Sequence, residues 1–230
     1  MNVIIVCEES QATCIEFRKR GHNAFSCDLQ TSSGGHPEWH FNLDCFEVLK
    51  CGLLTLENEE KIFIDKWDLL IGHPPCTFLS NVGNTWFNID KYFFEAAIRW
   101  ENRFEAVIFF FKMMEFGKKI GKYCLENPVG YINGILKPSQ TVNPYYFGDP
   151  FSKKTCYWIG GLPLLHHSKN DDMFFKKTHN DDHGEFITFK SGKRLSKFMN
   201  DALHLPKDER SKARSKSFPS IAKAMAEQWG

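Results

Sequence analysis

NVIIVCEESQATCIEFRKRGHNAFSCD, residues 2–28, decides the fold class. NVIIVC (2–7) is a β-branched apolar run that reads as a buried strand. SQATCIEFRKRG (10–21) follows with helical spacing and a glycine stop at Gly21. NAFSCDLQ (23–30) is a second strand ending at Asp28. Strand, helix and strand in such quick succession form a βαβ unit, and that unit points to a parallel α/β sheet.

The rest of the chain extends the pattern. TSSGGHPEWH (31–40) is a loop, and a short helix follows near 45–51. KWDLLIGHPPC (66–76) reads as a third strand that stops at two prolines. Residues 90–117 repeat Phe, Ala, Ile and Met every three or four positions, which predicts a helix packed in the core. GKYCLENPVG (121–130) is a fourth strand ending at Glu126-Asn127-Pro128, and 145–160 pass from a turn into another strand. Residues 161–217 are polar and weakly periodic, so an irregular insertion is expected there. FPSIAKAMAEQW (218–229) closes the chain as an amphipathic helix.

Composition excludes several classes. The chain has 230 residues, of which 42% are hydrophobic and 25% charged, as in an ordinary globular protein. No 18-residue uncharged apolar run exists, so no membrane span is expected. Eight cysteines stand without a CxxC pair, and the start runs straight into a strand. Free thiols in a reducing cytoplasm are therefore expected. The net charge of +1 hides an asymmetry: residues 187–230 hold ten Lys and Arg against four Asp and Glu. That basic end suits a polyanion or a solvated face.

Parallel α/β sheets place their chemistry where the carboxyl ends of the strands meet a shared crevice. Here those ends carry Cys7-Glu8, Asp28, Pro74-Pro75-Cys76 and Glu126-Asn127. A thiolate is a soft nucleophile suited to an electron-poor ring carbon. A nearby glutamate can give a ring nitrogen a proton if burial raises its pKa. Pro74 and Pro75 fix φ near roughly −65°, which limits how far the thiol wanders.

The Pro-Pro-Cys triplet at 74–76, the Glu-Asn pair at 126–127, FGDPFSKKTCYWIGG (147–161) and FPSIAKAMAEQW (218–229) occur in one order. In that order the chain resembles the DNA (cytosine-5)-methyltransferases, and more narrowly their short, phage-type members. The resemblance spans roughly 1–160 and 210–230. It implies a doubly wound, mostly parallel α/β sheet of the S-adenosylmethionine-dependent methyltransferase type. It further implies a cofactor-binding and catalytic domain over 1–160, a short target-recognition insertion over 161–210, and a closing helix within 211–230 that returns to the first domain. Its setting would be the cytoplasm, that of a bacterial host if a phage encodes the protein.

The resemblance also implies roles. Cys76 would add to carbon 6 of cytosine, Glu126 would hold the ring nitrogen and exocyclic amine, and Asn127 would support the Cys76 loop. Carbon 5 would then take a methyl group from S-adenosylmethionine. A target in double-stranded DNA would have to be flipped out of the stack, whereas a free cytosine nucleotide would not. Asp28 would hold the cofactor's ribose hydroxyls and Asp44 would sit near its adenine amine. Cys7, Glu8 and Ser10 would cradle its methionine part, and Pro74 would offer a carbonyl. Lys153 and Lys154, with Arg210, Lys212 and Arg214 of RSKARSKS (210–217), would meet phosphates, although a solvated loop explains the last run equally.

Three departures stand out. The first loop is CEESQ where the family has glycines. Phe151, Lys153 and Thr155 replace a Gln and two Arg. The recognition segment is short, so long sequence-specific readout is not expected. His166-His167 and HNDDH (179–183) raise a zinc site, but no cysteine partner at metal spacing accompanies them, and a polar surface loop is the simpler reading. GGHPEWH (34–40) fits a cap over cofactor or substrate, or a packed loop. An amino-methyltransferase is disfavoured because its Pro-Pro pair precedes an aromatic residue and not a cysteine. A nucleic-acid-binding protein without catalysis stays open, and neither reading requires a protein partner.

Overall fold

β1 (Asn2–Val6) lies inside a seven-stranded sheet, where Val3, Ile4, Ile5 and Val6 are fully buried. The structure is a computed structural model that describes residues 1–150, 152–167, 184–190, 192, 194–206 and 218–230. α1 (Ala12–Arg18) leads to β2 (Asn23–Cys27), which pairs with β1 in parallel. β3 (His40–Phe41) adds to β2 in parallel, and α2 (Cys45–Val48) follows. β4 (Gly52–Thr55) and β5 (Lys61–Ile64) make a separate antiparallel hairpin. β6 (Leu69–Gly72) returns to the other side of β1, again in parallel.

α3 (Ile89–Ile120) crosses to β7 (Tyr123–Pro128), parallel to β6. After α4 (Tyr131–Ile135), β8 (Gln140–Val142) and β9 (Thr155–Gly160) complete the sheet, with β9 antiparallel to both β7 and β8. β10 (Phe186–Thr188) pairs with β11 (Arg194–Ser196), then come α5 (Lys197–His204) and α6 (Pro219–Trp229). The main sheet runs β3-β2-β1-β6-β7-β9-β8, so the chain reverses direction across the sheet at β1. This mostly parallel mixed α/β sheet is compatible with a Rossmann-like fold. Among the described residues no helix is long and apolar enough to cross a membrane.

Alternation along the strands splits the core into two faces. Val3, Ile5, Leu69, Ile71 and Cys124 pack under α1 and α6, with Phe17, Met225 and Trp229. Ile4, Val6, Leu70 and Leu125 face the other way, toward α2 and α3, with Phe46, Phe110 and Met113. Each large side chain buried this way stabilises the fold by about 1.5–3 kcal/mol. Gly72 permits the close approach of α3, because a Cβ there would lie 2.5 Å from Met113 Sδ.

The structure corrects several sequence expectations. β3, the β4–β5 hairpin and β8 were not expected. The third strand begins at Leu69 and not at Lys66, since Trp67 leaves the ladder to enter the core and donates from Nε1 to the Val48 carbonyl at 3.0 Å. Residues 161–217 are not wholly irregular, because they contain β10, β11 and α5. The helix expected wholly in the core is core only in part: Phe94 is 75% exposed and Phe104 67%. The reason is length. At 32 residues α3 runs roughly 48 Å, more than twice the length of a six-residue strand. Its first half, kinked at Phe93 (φ 40°), packs through Trp100 and Arg103 on the 78–87 segment and not on the sheet.

Candidate active site

β2, β1, β6 and β7 are mutually parallel, so their carboxyl ends share one rim. Cys7–Glu8, Asp28, His73–Cys76 and Glu126–Asn127 all stand on it. Register then pairs two groups that the sequence left separate. Gly72 lies opposite Leu125, so His73 comes beside Glu126, on the face toward α1 and α6. His73 Nδ1 lies 2.6 Å from Glu126 Oε2, with both side chains mostly buried.

That contact reverses the expected electrostatics. Burial pushes Glu126 up, as the sequence argument required, but the hydrogen bond and charge of His73, helped by Lys153, hold its carboxyl below the usual range. Burial pushes His73 down, yet Glu126 and the nearby charge of Glu8 outweigh that and hold it above its ordinary value, against the opposing Lys153. Glu8 itself is raised by burial, although His73 and the N–H groups of Thr13 and Cys14 oppose the shift. A small cleft of about 10 Å³ lies here, lined by Thr13, His73, Glu126, Lys153, Tyr157 and Met225 among others. Lys153 Nζ sits 5.3 Å from the Phe218 ring centre, whereas Lys154 is exposed.

Asn127, the next residue of β7, turns to the opposite face. Its Nδ2 donates to the Pro74 carbonyl at 2.9 Å, a buried bond that ties the Cys76 loop to the strand. The Cys76 carbonyl accepts from the N–H groups of Leu79 and Ser80 at 3.1 and 2.9 Å, closing a turn that leaves Cys76 half-buried. Further on, the Leu79 carbonyl accepts from Tyr131 N at 2.7 Å, and Ser80 bridges Gly130. α3 supports the same loop from its first half. Buried Arg103 donates from Nε to the Phe78 carbonyl at 2.7 Å and from a terminal nitrogen to Asn84 Oδ1 at 2.8 Å, with its guanidinium 3.3 Å over Phe87.

The residues expected at the cofactor are spread along the other half of the rim. Glu8 is spent on α1, accepting from Thr13 N at 2.7 Å and Cys14 N at 3.2 Å. The Cys7 thiol is turned toward Cys45, and that hydrogen bond and burial push it well up. Ser10 is half-buried. Cys7 and Gln11 both have φ 59°, a left-handed geometry that suits glycine. The loop thus keeps a glycine-like path without the glycines. Asp28 lies partly exposed at the end of β2, with Oδ1 accepting from Gln30 N at 2.9 Å. Asp44 is exposed and caps α2 through Phe46 N at 2.7 Å.

This half of the rim sets an acid beside exposed apolar surface. Asp28 offers a carboxylate beside Leu29, which is 77% exposed, and Leu43, whose carbonyl accepts from Cys27 Sγ, reaches the same strand end. Acid for hydroxyls beside exposed apolar surface for a ring is the donor set that S-adenosylmethionine would need. GGHPEWH is a packed loop: Gln11 clamps His36 through both backbone groups, His36 stacks on Trp39, and buried His40 bonds Ser26.

Phe151, Arg210, Lys212, Arg214, His179 and His183 lie outside the described residues. His167 stacks on Tyr146 and His166 N donates to Gln228. Among the described residues no group of three or more His, Cys, Asp or Glu is placed to hold a metal. His73, Arg103 and Gly130 were not singled out from sequence. The signal for His73 was available, since aligning the ends of the third and fourth strands sets it beside Glu126. No family model and no curated protein matches the chain.

Proposed function

We propose that the protein transfers the methyl group of S-adenosylmethionine to carbon 5 of cytosine in DNA through a covalent Cys76 adduct. The observation that carries the reading is that one dipeptide of β7 serves both halves of such a site. Glu126 faces the cleft, while Asn127 holds the backbone that mounts the thiol. The mostly parallel sheet, with its reversal at β1, accords with a methyltransferase of the S-adenosylmethionine-dependent type. When bound, the cofactor supplies an electrophilic methyl group.

The chain's own residues do the rest. Cys76 forms the bond to carbon 6, Glu126 fixes the ring nitrogen and exocyclic amine, and Lys153 adds positive charge beside them. Asp28, with the exposed surface of Leu29, would hold the cofactor's nucleoside. A cytosine in duplex DNA reaches the thiol by leaving the stack.

The test is methyl transfer from labelled S-adenosylmethionine to duplex DNA and, separately, to free cytosine nucleotides, with Cys76→Ala as control. 5-Methylcytosine from DNA, absent in the control, is expected. Label in free nucleotides alone would move the substrate to the nucleotide pool. No label in either, with the cofactor also failing to bind, would leave a nucleic-acid-binding protein.

A further inference from the structure

We propose that His73 is the proton store of this site, loading Glu126 when the cytosine ring takes up a proton at N3 and unloading it when that proton returns. The inference rests on the cytosine-methyltransferase reading. Its starting point is a shortage. Addition of a thiolate to carbon 6 drives electrons toward N3, which then needs a proton. Glu126 is the group placed to deliver one, yet His73 and Lys153 hold its carboxyl in the ionised form. An ionised carboxylate has no proton to give.

His73 has one. Its Nδ1 is 2.6 Å from Glu126 Oε2, inside the range for direct proton transfer between heteroatoms. The strand register that puts Gly72 opposite Leu125, with His73 N donating to the Val6 carbonyl at 3.0 Å, sets this pair at the end of β6. Nε2 of the same ring is buried and has no hydrogen-bond partner among the described residues, so Glu126 is the ring's outlet. Charged and titratable groups surround the pair from each packed element. Glu8 comes from the turn before α1, Lys153 from the segment before β9, and Tyr157 from β9 itself. Glu8 favours the imidazolium and Lys153 opposes it, so the proton is held but not trapped.

The balance closes. The Cys76 thiolate forms the C6–S bond, the C5–C6 π pair moves toward N3, and N3 takes a proton from Glu126. Glu126 takes the His73 Nδ1 proton, and His73 becomes neutral. Carbon 5 then takes the methyl group as that group's bond to the cofactor's sulfur breaks, the electron pair staying on the sulfur, and the carbon-5 proton leaves to solvent. Breaking the C6–S bond then returns the electron pair to sulfur, and the N3 proton returns through Glu126 to His73.

The experiment has two arms. In the first, the protein labelled with ¹⁵N-histidine is titrated by NMR between about pH 5 and 9, with Glu126→Gln beside it and His73→Gln for assignment. His73 is expected to titrate above the ordinary histidine range and to fall in Glu126→Gln. An ordinary titration, unmoved by Glu126→Gln, overturns the proposal whatever the enzyme's substrate. In the second arm, methyl transfer is followed against pH for wild type and His73→Gln. The variant should lose about 10²–10⁴-fold in kcat with KM for DNA little changed, and it should lose the alkaline limb of the profile. Product from wild type with the same profile in His73→Gln overturns the proton store alone. No product from wild type on either DNA or nucleotides overturns the methyltransferase reading, and the cytosine step with it.

Discussion

Replacing Gly130 by alanine tests whether the Cys76 loop is held by the geometry described. The residue is extended (φ −176°), so alanine meets no backbone strain there. Space is the obstacle. A Cβ at Gly130 would lie 2.9 Å from the Leu79 carbonyl carbon and 3.1 Å from Ser80 Cα, and closer still to the Leu79 oxygen. Carbon atoms rest at about 3.5–4.0 Å, so the 79–80 backbone must recede by roughly 1 Å. That move breaks the bond from Tyr131 N to Leu79 O and the longer one from Asn81 N to Val129 O. At about 1 kcal/mol each, the loss is about 2 kcal/mol, or roughly 4–8 °C in Tm for a chain of this size. The thiol suffers more than the fold, because a displacement of about 1 Å at a reacting group costs on the order of 10²-fold in rate. Calorimetry and the rate of Cys76 alkylation, mapped by mass against Cys76→Ala, measure the two effects. Unchanged alkylation with unchanged Tm would refute the claim that Gly130 seats the loop.

Arg103→Met should cost about 2–4 kcal/mol, since it leaves the Phe78 carbonyl and Asn84 without their charged donor, and a denaturant melt reads this directly. The His73–Glu126 pair makes stability depend on pH. His73 is raised in the fold, so its contribution is complete below about pH 6.5 and is lost as pH rises through the folded value. Glu126 is lowered, so its contribution is complete above about pH 4.3 and is lost as pH falls through the folded value. Glu8, raised by burial, contributes fully only below about pH 4.3 and loses that contribution as pH rises through its folded value, which draws the maximum toward the acid limit. Melting temperature should therefore peak between those limits, and His73→Gln should flatten the alkaline side. On the first half of α3, Phe94→Ser with Phe104→Ser should alter stability by no more than about 0.5 kcal/mol per site while reducing dye binding to exposed apolar surface.

The βαβ opening, β6 and β7 were legible because runs such as NVIIV and LLIG can be buried only as inner strands of a covered sheet. Their shared rim followed from parallel pairing alone. The β4–β5 hairpin left little signal because GLLT and KIFI are only four residues each, too short for alternation to mark a strand. For α3, a three-to-four repeat of apolar residues announces a helix but not how much sheet lies beneath it. The state of Glu126 was misread for a similar reason. Burial gives one direction, and the partner that reverses it stands on a neighbouring strand. Gly130 left no local trace, since what it must avoid is the Leu79 backbone across the site.

The two halves of the site are held from opposite faces of the sheet. Asn127 and Arg103, on the α3 side, fix the backbone around Cys76. His73, Glu8 and Lys153, on the α1 and α6 side, set the charge at Glu126. β7 joins the halves through two adjacent residues whose side chains point apart, as alternation in a strand demands. Thiol position and carboxylate charge can therefore be altered one at a time. Arg103→Met should change the alkylation rate of Cys76 and leave the His73 titration in place, while Glu126→Gln should do the reverse. Because Arg103 and Glu126 share no hydrogen-bond partner among the described residues, the effects of the two substitutions on stability should add to within about 0.5 kcal/mol. A larger coupling would mean that the rim moves as one body and that thiol and carboxylate are not independently set.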